Sequence, residues 1–235
     1  MSLIDTEGLN KLNDLFLGLI KRNLKPEAFL WLETKVLLIK SEDKSTQLNL
    51  VFAQMPRFAA KELLVPNAAE AAEIDALLPG FALKGWTIER LCRVWILMQI
   101  PASNKTLYLE KIKSLFVAAE MNEQAALYSA LPVLHYAEEW ISKCEEGIRS
   151  NLGTVLEAVM YHNPYPAHFL SQGAWNQLIL KAFFTEKEIN KVVGLKERAN
   201  ELLSQALCDY AQERLAANRM VNPDLYKLIN KNINS

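Results

Sequence analysis

Leu12-Asn13-Asp14-Leu15-Phe16-Leu17-Gly18-Leu19-Ile20 sets the period on which the rest of the chain is built. Leu12, Leu15, Phe16, Leu19 and Ile20 stand at i, i+3, i+4, i+7 and i+8, one face of an amphipathic helix. The pattern predicts a helix from about Leu3 to Arg22. Asn23 and the Lys25-Pro26 step end it, because the residue before a proline is driven out of the α region. Pro26 suits the first turn of the next helix, where its missing N–H costs nothing. Phe29, Leu30, Leu32, Val36 and Leu37 carry that helix to about Ile39.

The same reading runs outward to the end of the chain. A third helix spans about Lys44 to Met55, burying Leu48, Val51, Phe52 and Met55, and stops near Pro56. Asn67 with Glu70 forms a capping box for an Ala-rich helix to Leu78, closed by Pro79-Gly80. Thr87 caps a strongly apolar helix to Gln99. Asn104 caps one with Leu107, Ile112, Leu115 and Phe116 inside, and Asn122 opens one that Pro132 breaks after Leu131. Helices follow over Tyr136 to Arg149 and Asn151 to His162, and Asn163-Pro164-Tyr165-Pro166 is the sharpest break. A helix from Ala174 to Phe184 comes next. Thr185 with Glu188 then reads as a second capping box, for a short helix to Val193 with Gly194 just past its end. Glu197 to Ala217 is the longest late helix, and Asn222-Pro223 opens the last one.

Apolar and polar residues nowhere alternate strictly beyond four or five positions, and Asn-Gly and Asp-Gly are absent. The fold class is therefore all-α. The expected architecture is irregular stacked antiparallel helical hairpins, a HEAT-like α-α superhelix, with a compact orthogonal helical bundle as the alternative. No period of fixed length recurs, which argues against a regular tetratricopeptide or ankyrin array. A single all-helical domain over residues 1–235 is expected, with a generic helical part over 1–146 and a motif-rich part over 147–235.

Composition narrows the function. At 51% hydrophobic and 23% charged the chain is too apolar for disorder. Net charge is −1, from 26 Lys and Arg against 27 Asp and Glu, without a basic run, so no nucleic-acid partner is expected. Cys92, Cys144 and Cys208 are odd in number and far apart, which reads as reduced thiols in the cytoplasm. The first residues are acidic and lack the order of a signal peptide. Leu91 to Ile100 is the nearest approach to a membrane span, too short and interrupted by Arg93, so the chain is not expected to be an integral membrane protein.

The phosphate-binding, dinucleotide-binding, nucleophile-elbow and paired-cysteine motifs are all missing. His135, His162 and His168 lack metal-ligand spacing. Hence no catalytic residue, no metal and no cofactor is assigned, and the expectation is a protein that is not an enzyme.

From Gly147 onwards polar side chains recur beside aromatics: Arg149, Asn151, Glu157, His162, Asn163, Tyr165, Trp175, Asn176, Gln177, Lys181, Arg198, Asn200, Tyr210, Glu213 and Arg214. These are the candidate ligand- or partner-binding residues. Glu157 points almost opposite the Leu152, Val155, Leu156 and Val159 stripe, either to solvent or to a polar contact surface. Arg214 shares a side with Leu203, Leu207 and Tyr210 and needs an acceptor: Glu213, Glu157, a helix C-terminus or an anionic ligand. Asn176 and Gln177 either bond carbonyls freed at the Pro164/Pro166 break, or Asn176, Lys181, Arg198, Asn200 and Tyr210 converge on a groove for a polar, partly aromatic metabolite.

The same residues carry a family resemblance. Gly147-Ile148-Arg149-Ser150-Asn151, Val155, Glu157-Ala158, Asn163-Pro164-Tyr165-Pro166, Ala174-Trp175-Asn176-Gln177, Lys181-Ala182-Phe183-Phe184, Arg198-Ala199-Asn200 and Asp209-Tyr210-Ala211-Gln212-Glu213-Arg214 resemble the EboA family. Gly85-Trp86 extends the likeness forward, and Gln212 departs from it, where a His is expected. The resemblance implies a bacterial protein from a multi-gene cluster associated with metabolite traffic, including export of secondary-metabolite precursors such as the scytonemin monomer. It implies no reaction and no active-site residues.

Three functions follow as expectations. The first is a non-enzymatic cytoplasmic accessory protein of that traffic, binding a small-molecule metabolite, proteins encoded in the same cluster, or both. The alternatives are an enzyme using Glu157, His162, Tyr210 or Glu213 for acid/base chemistry, and a pure protein–protein interaction scaffold.

Overall fold

The computed structural model describes residues 3–59 and 61–229, so both ends of the expected 1–235 domain lie outside the described residues. Thirteen α-helices lie within them. The first seven are α1 (Thr6–Asn23), α2 (Pro26–Ser41), α3 (Thr46–Gln54), α4 (Ala68–Leu77), α5 (Ile88–Met98), α6 (Lys105–Ala118) and α7 (Met121–Ala130). The others are α8 (Ile141–Arg149), α9 (Gly153–Met160), α10 (Tyr165–Phe169), α11 (Gln172–Phe184), α12 (Glu201–Ala216) and α13 (Pro223–Ile229). Among the described residues, strand-type pairing is confined to isolated bridges between Leu63 and Thr87 and between Tyr161 and Val192. The all-α class holds. No helix among the described residues is long and apolar enough to cross a membrane.

The caps decide where the helices begin. Asn67 and Glu70 close both halves of their box, at 2.9 and 2.8 Å. Thr87 Oγ1 accepts the Arg90 N–H at 3.2 Å and Asn104 Oδ1 accepts the Leu107 N–H at 3.1 Å. The expected box at Thr185 and Glu188 does not form. Thr185 instead closes α11, its hydroxyl donating to the Lys181 carbonyl at 2.7 Å, and the Glu188 N–H donates to Tyr161 Oη at 2.8 Å. The chain turns at Glu186, which is left-handed at φ +54°, and the pairing of Tyr161 with Val192 leaves only one 3-10 turn, Ile189–Lys191, before Val192. A helix that short has too few bonds to repay its nucleation against such contacts. Further boundaries move. Helix α7 starts at Met121 behind a Glu120–Glu123 capping box and not at Asn122, and α11 starts at Gln172 behind Ser171 and not at Ala174. Tyr136 is left-handed at φ +57°, so α8 starts only after a 3-10 turn over Ala137–Trp140. Asn200 caps α12 and shortens it from the expected Glu197 start. The Asn163–Pro166 break contains α10, because Pro166 falls in its first turn, where no N–H is needed.

Helix α5 is the axis of the packing. Every residue from Ile88 to Leu97 is buried except the partly exposed Arg90. One side of α5 lies on α1, which supplies Leu12, Phe16, Leu19 and Ile20 and also packs on α4. The other side lies on α7, whose buried Ala125, Ala126 and Ala130 let neighbours approach closely, and α7 in turn packs on α9. A Cβ at Gly147 of α8 would come within 2.6 Å of Val159 and 2.7 Å of Tyr128, so only glycine lets α8 sit against α7 and α9. Consecutive helices pack as neighbours at α2–α3, α8–α9, α11–α12 and α12–α13, while α1 reaches across the chain to α4 and α5.

Two prolines leave backbone acceptors without their α-helical donors. The N–H that would bond the Tyr128 carbonyl belongs to position 132, a proline. The Leu131 N–H and the Asn163 side-chain amide, at 3.1 Å, take its place. Asn163 also donates to the Ala158 carbonyl at 2.9 Å and accepts the Tyr165 N–H at 3.0 Å, so this buried side chain ties α7, α9 and α10 together. Asn163→Ala should therefore lower unfolding stability by about 2–3 kcal/mol in urea titration, with a reduced midpoint and an unchanged slope.

Candidate functional site

Several of the polar C-terminal residues are engaged in holding helix ends. Arg198 Nη1 donates to the Ala167 carbonyl at 2.7 Å and Nη2 to the Leu170 carbonyl at 3.0 Å, closing the end of α10. Its guanidinium lies 5.3 Å over the ring of Trp175, which is wholly buried. Asn176 and Asn200 exchange amide hydrogen bonds at 3.2 and 2.9 Å, and Asn200 Oδ1 accepts the Leu203 N–H as the cap of α12. Tyr165 donates to the Ala137 carbonyl at 2.5 Å, and burial raises its phenol pKa. Tyr210 donates to the Phe183 carbonyl at 3.3 Å. Arg214 finds its acceptor in the connection after α12 and not at one of the expected partners: Nε donates to the Met220 carbonyl at 3.0 Å, with Glu186 at 3.9 Å.

The rest lie on separate faces. Glu157 pairs with Lys187 at 2.6 Å, and Lys181 reaches Asn151 at 3.4 Å. Arg149 and Gln177 line an open depression of about 270 Å³ with Glu145 and Ser171, and Glu213 is exposed. Asn176, Asn200 and Arg198 are thus joined to one another, Asn200 also donating to the Arg198 carbonyl at 3.0 Å, while Lys181 and Tyr210 bond elsewhere, so the structure brings together three of the five expected groove residues.

His162 is held in the left-handed region at φ +51°. Its N–H donates to the Lys191 carbonyl at 2.9 Å and its own carbonyl accepts the Ala82 N–H at 3.3 Å. Its Nε2 is buried without a hydrogen-bond partner among the described residues. Burial, then Lys84 and Lys191, lower the imidazole pKa, with Glu188 opposing them.

The densest charged cluster lies in the half read from the sequence as generic packing. Arg93, 2% exposed, donates through Nη1 to the Glu89 carboxylate and through Nε to the Phe52 carbonyl at 2.9 Å. Its Nη2 lies 3.5 Å from Glu123, which also accepts the Glu120 N–H at the start of α7, and its guanidinium stacks 5.3 Å from the Phe52 ring. The Phe52 carbonyl is available because position 56, its α-helical donor, is a proline. Above this network Lys61, Thr87, Glu89, Arg90, Arg93 and Asn122 line a cavity of about 110 Å³. The Arg90 side chain makes no hydrogen bond or ion pair with any described residue; Glu157 and Glu89 act on it only at longer range, and burial lowers its pKa. The signal in the sequence was a Glu89/Arg93 pair at i, i+4 inside an otherwise apolar helix.

Two outcomes follow. Glu89→Leu strips Arg93 of its nearest carboxylate and should cost about 3 kcal/mol in urea denaturation, most of it regained when Arg93→Met is added. The histidine prediction concerns pH. The depressed His162 pKa means that the unfolded chain takes up the proton first, so stability falls as pH drops below about 6.5. His135, also lowered by burial, adds in the same sense. His162→Asn, which keeps a residue tolerant of positive φ, should flatten thermal midpoints measured between pH 7 and 5.

A family model described as metabolite traffic protein EboA matches residues 12–230. No curated protein and no solved structure was matched. With the match spanning nearly the whole chain, including α5 and the cavity above it as well as the polar C-terminal helices, the chain belongs to the EboA family.

Proposed function

We propose that this chain is a non-enzymatic cytoplasmic accessory protein of bacterial metabolite traffic, which takes a small metabolite into the cavity at the N-terminal end of α5. Family membership supplies the process. The observation that carries the reading is a cavity lined by three cations, Lys61, Arg90 and Arg93, against one carboxylate, Glu89, and among the described residues only Arg93 of the three is paired with carboxylates. Cationic groups converging on a concavity beside a rigid helix form the kind of polar anchor that fixes a ligand's orientation. A binding role is supported over acid/base chemistry by the positions of the four expected acid/base residues. Tyr210 is spent on a backbone carbonyl, Glu157 on Lys187, Glu213 is exposed, and His162 hydrogen-bonds none of them. The cytoplasmic placement is supported by three free cysteines. Two of them are buried, with burial pushing the Cys92 thiol up to about 12.

Equilibrium dialysis of the full chain against a bacterial small-molecule extract, read by mass spectrometry, tests this. The expected result is a compound retained at unchanged mass and released on denaturation. Turnover of a retained compound into a product of different mass would sink the non-enzymatic reading, and retention of nothing would sink the binding one.

A further inference from the structure

We propose that the α5 cavity is an oxyanion site, in which Arg90, with Lys61 lining the same wall, takes the carboxylate or phosphate end of the metabolite. The inference rests on the binding role above and names the chemistry of its ligand. Arg90 and Arg93 stand three residues apart on one helix, and their surroundings differ sharply. Arg93 is enclosed by Glu89, Glu123 and the Phe52 carbonyl, which occupy its donors. Arg90 is partly exposed and its side chain lines the cavity with no acceptor among the described residues. Lys61, exposed at the same cavity, also has no carboxylate partner among them. A partly buried guanidinium whose donors meet no protein acceptor gains by binding an anion that fills them. Its planar fork matches a carboxylate or phosphate bidentately.

Size limits what enters. About 110 Å³ is far below the roughly 300–1,000 Å³ of a pocket that encloses a whole drug-sized molecule. The cavity therefore holds a charged head group, and the remainder of the ligand lies across its mouth. Asn122 and the Thr87 hydroxyl, on the same lining, are the neutral groups next to that head.

The test uses the full chain with phenyl phosphate, benzoate and neutral benzyl alcohol as probes, at ionic strength matched with sodium chloride. Calorimetric titration and thermal shift are read together. Binding of either anion and not of the alcohol is expected; a preference for phenyl phosphate identifies a phosphate end, and for benzoate a carboxylate end. Arg90→Met should weaken that binding by about tenfold or more, Arg90→Lys by less, and Arg219→Met, an exposed charge elsewhere, should leave it unchanged. The unliganded Arg90→Met chain should also melt no lower than the parent, because a partly buried charge without a protein acceptor is gone. Equal binding of all three probes, anion binding that survives Arg90→Met, or a lower melting point in that variant overturns the proposal. If dialysis retains a compound while neither anion binds, the oxyanion assignment falls and the binding role stands.

Discussion

The structure turns on burying Arg93 at the centre of its most completely buried helix. An ion removed from water is tolerated only when its donors are filled by good acceptors, and here the acceptors come from three helices. Glu89 is on the same helix one turn earlier, the Phe52 carbonyl belongs to α3, and Glu123 belongs to the first turn of α7. Satisfying one guanidinium therefore fixes the positions of α3 and α7 against α5. It does so at a geometry that apolar packing alone, being non-directional, does not specify. Helix α9 is then placed through its contact with α7, and α8 through α9.

Backbone accounting explains the polar residues that the core does not need. Short helices and frequent prolines leave carbonyls without their i+4 donors, and buried carbonyls must be paired. Pro56 leaves the Phe52 carbonyl to Arg93, and Pro132 leaves the Tyr128 carbonyl to Asn163. The ends of α10, α11 and α2 are closed by Arg198, Tyr210 and Lys111 in the same way. Arginine, asparagine, tyrosine and lysine recur because each carries a donor far enough from its own backbone to reach a neighbouring helix end. The match to the EboA family extends across both halves of the chain, so these repairs belong to one continuous architecture and not to a polar appendage.

Helix positions were legible because periodicity and capping are local. Asn67, Thr87 and Asn104 cap where their side chains predict, and the 3.6-residue pattern of α1 survives packing intact. The failures were non-local. The Thr185 and Glu188 pair has the letters of a capping box, yet Tyr161 and Val192 claim that stretch from across the fold. The polar set after Gly147 was visible as an excess over what packing requires, but which carbonyls it would serve depends on how helices meet. The α5 cluster was hidden for the opposite reason. A Glu and an Arg one turn apart read as an ordinary surface pair, and nothing local shows that α1 and α7 close over both faces of that helix. Lys61 contributes from a segment between helices, which no periodicity announces.

The contrast between Arg90 and Arg93 then acquires a physical sense. Rigid display of a charged group requires that the helix carrying it cannot roll or slide, since a misplacement of about 1 Å already weakens a directed contact. The neutralised arginine provides that rigidity by binding three helices at once, and the helix it immobilises carries a second arginine three residues earlier, aimed at a cavity. Neutralising both would leave a stable scaffold with nothing to offer a ligand. Neutralising neither would leave Arg93 as an unpaired buried charge, a cost of several kcal/mol on a native state only about 5–15 kcal/mol more stable than the unfolded chain. One satisfied and one open guanidinium on the same rigid helix is the arrangement that keeps both stability and a binding surface.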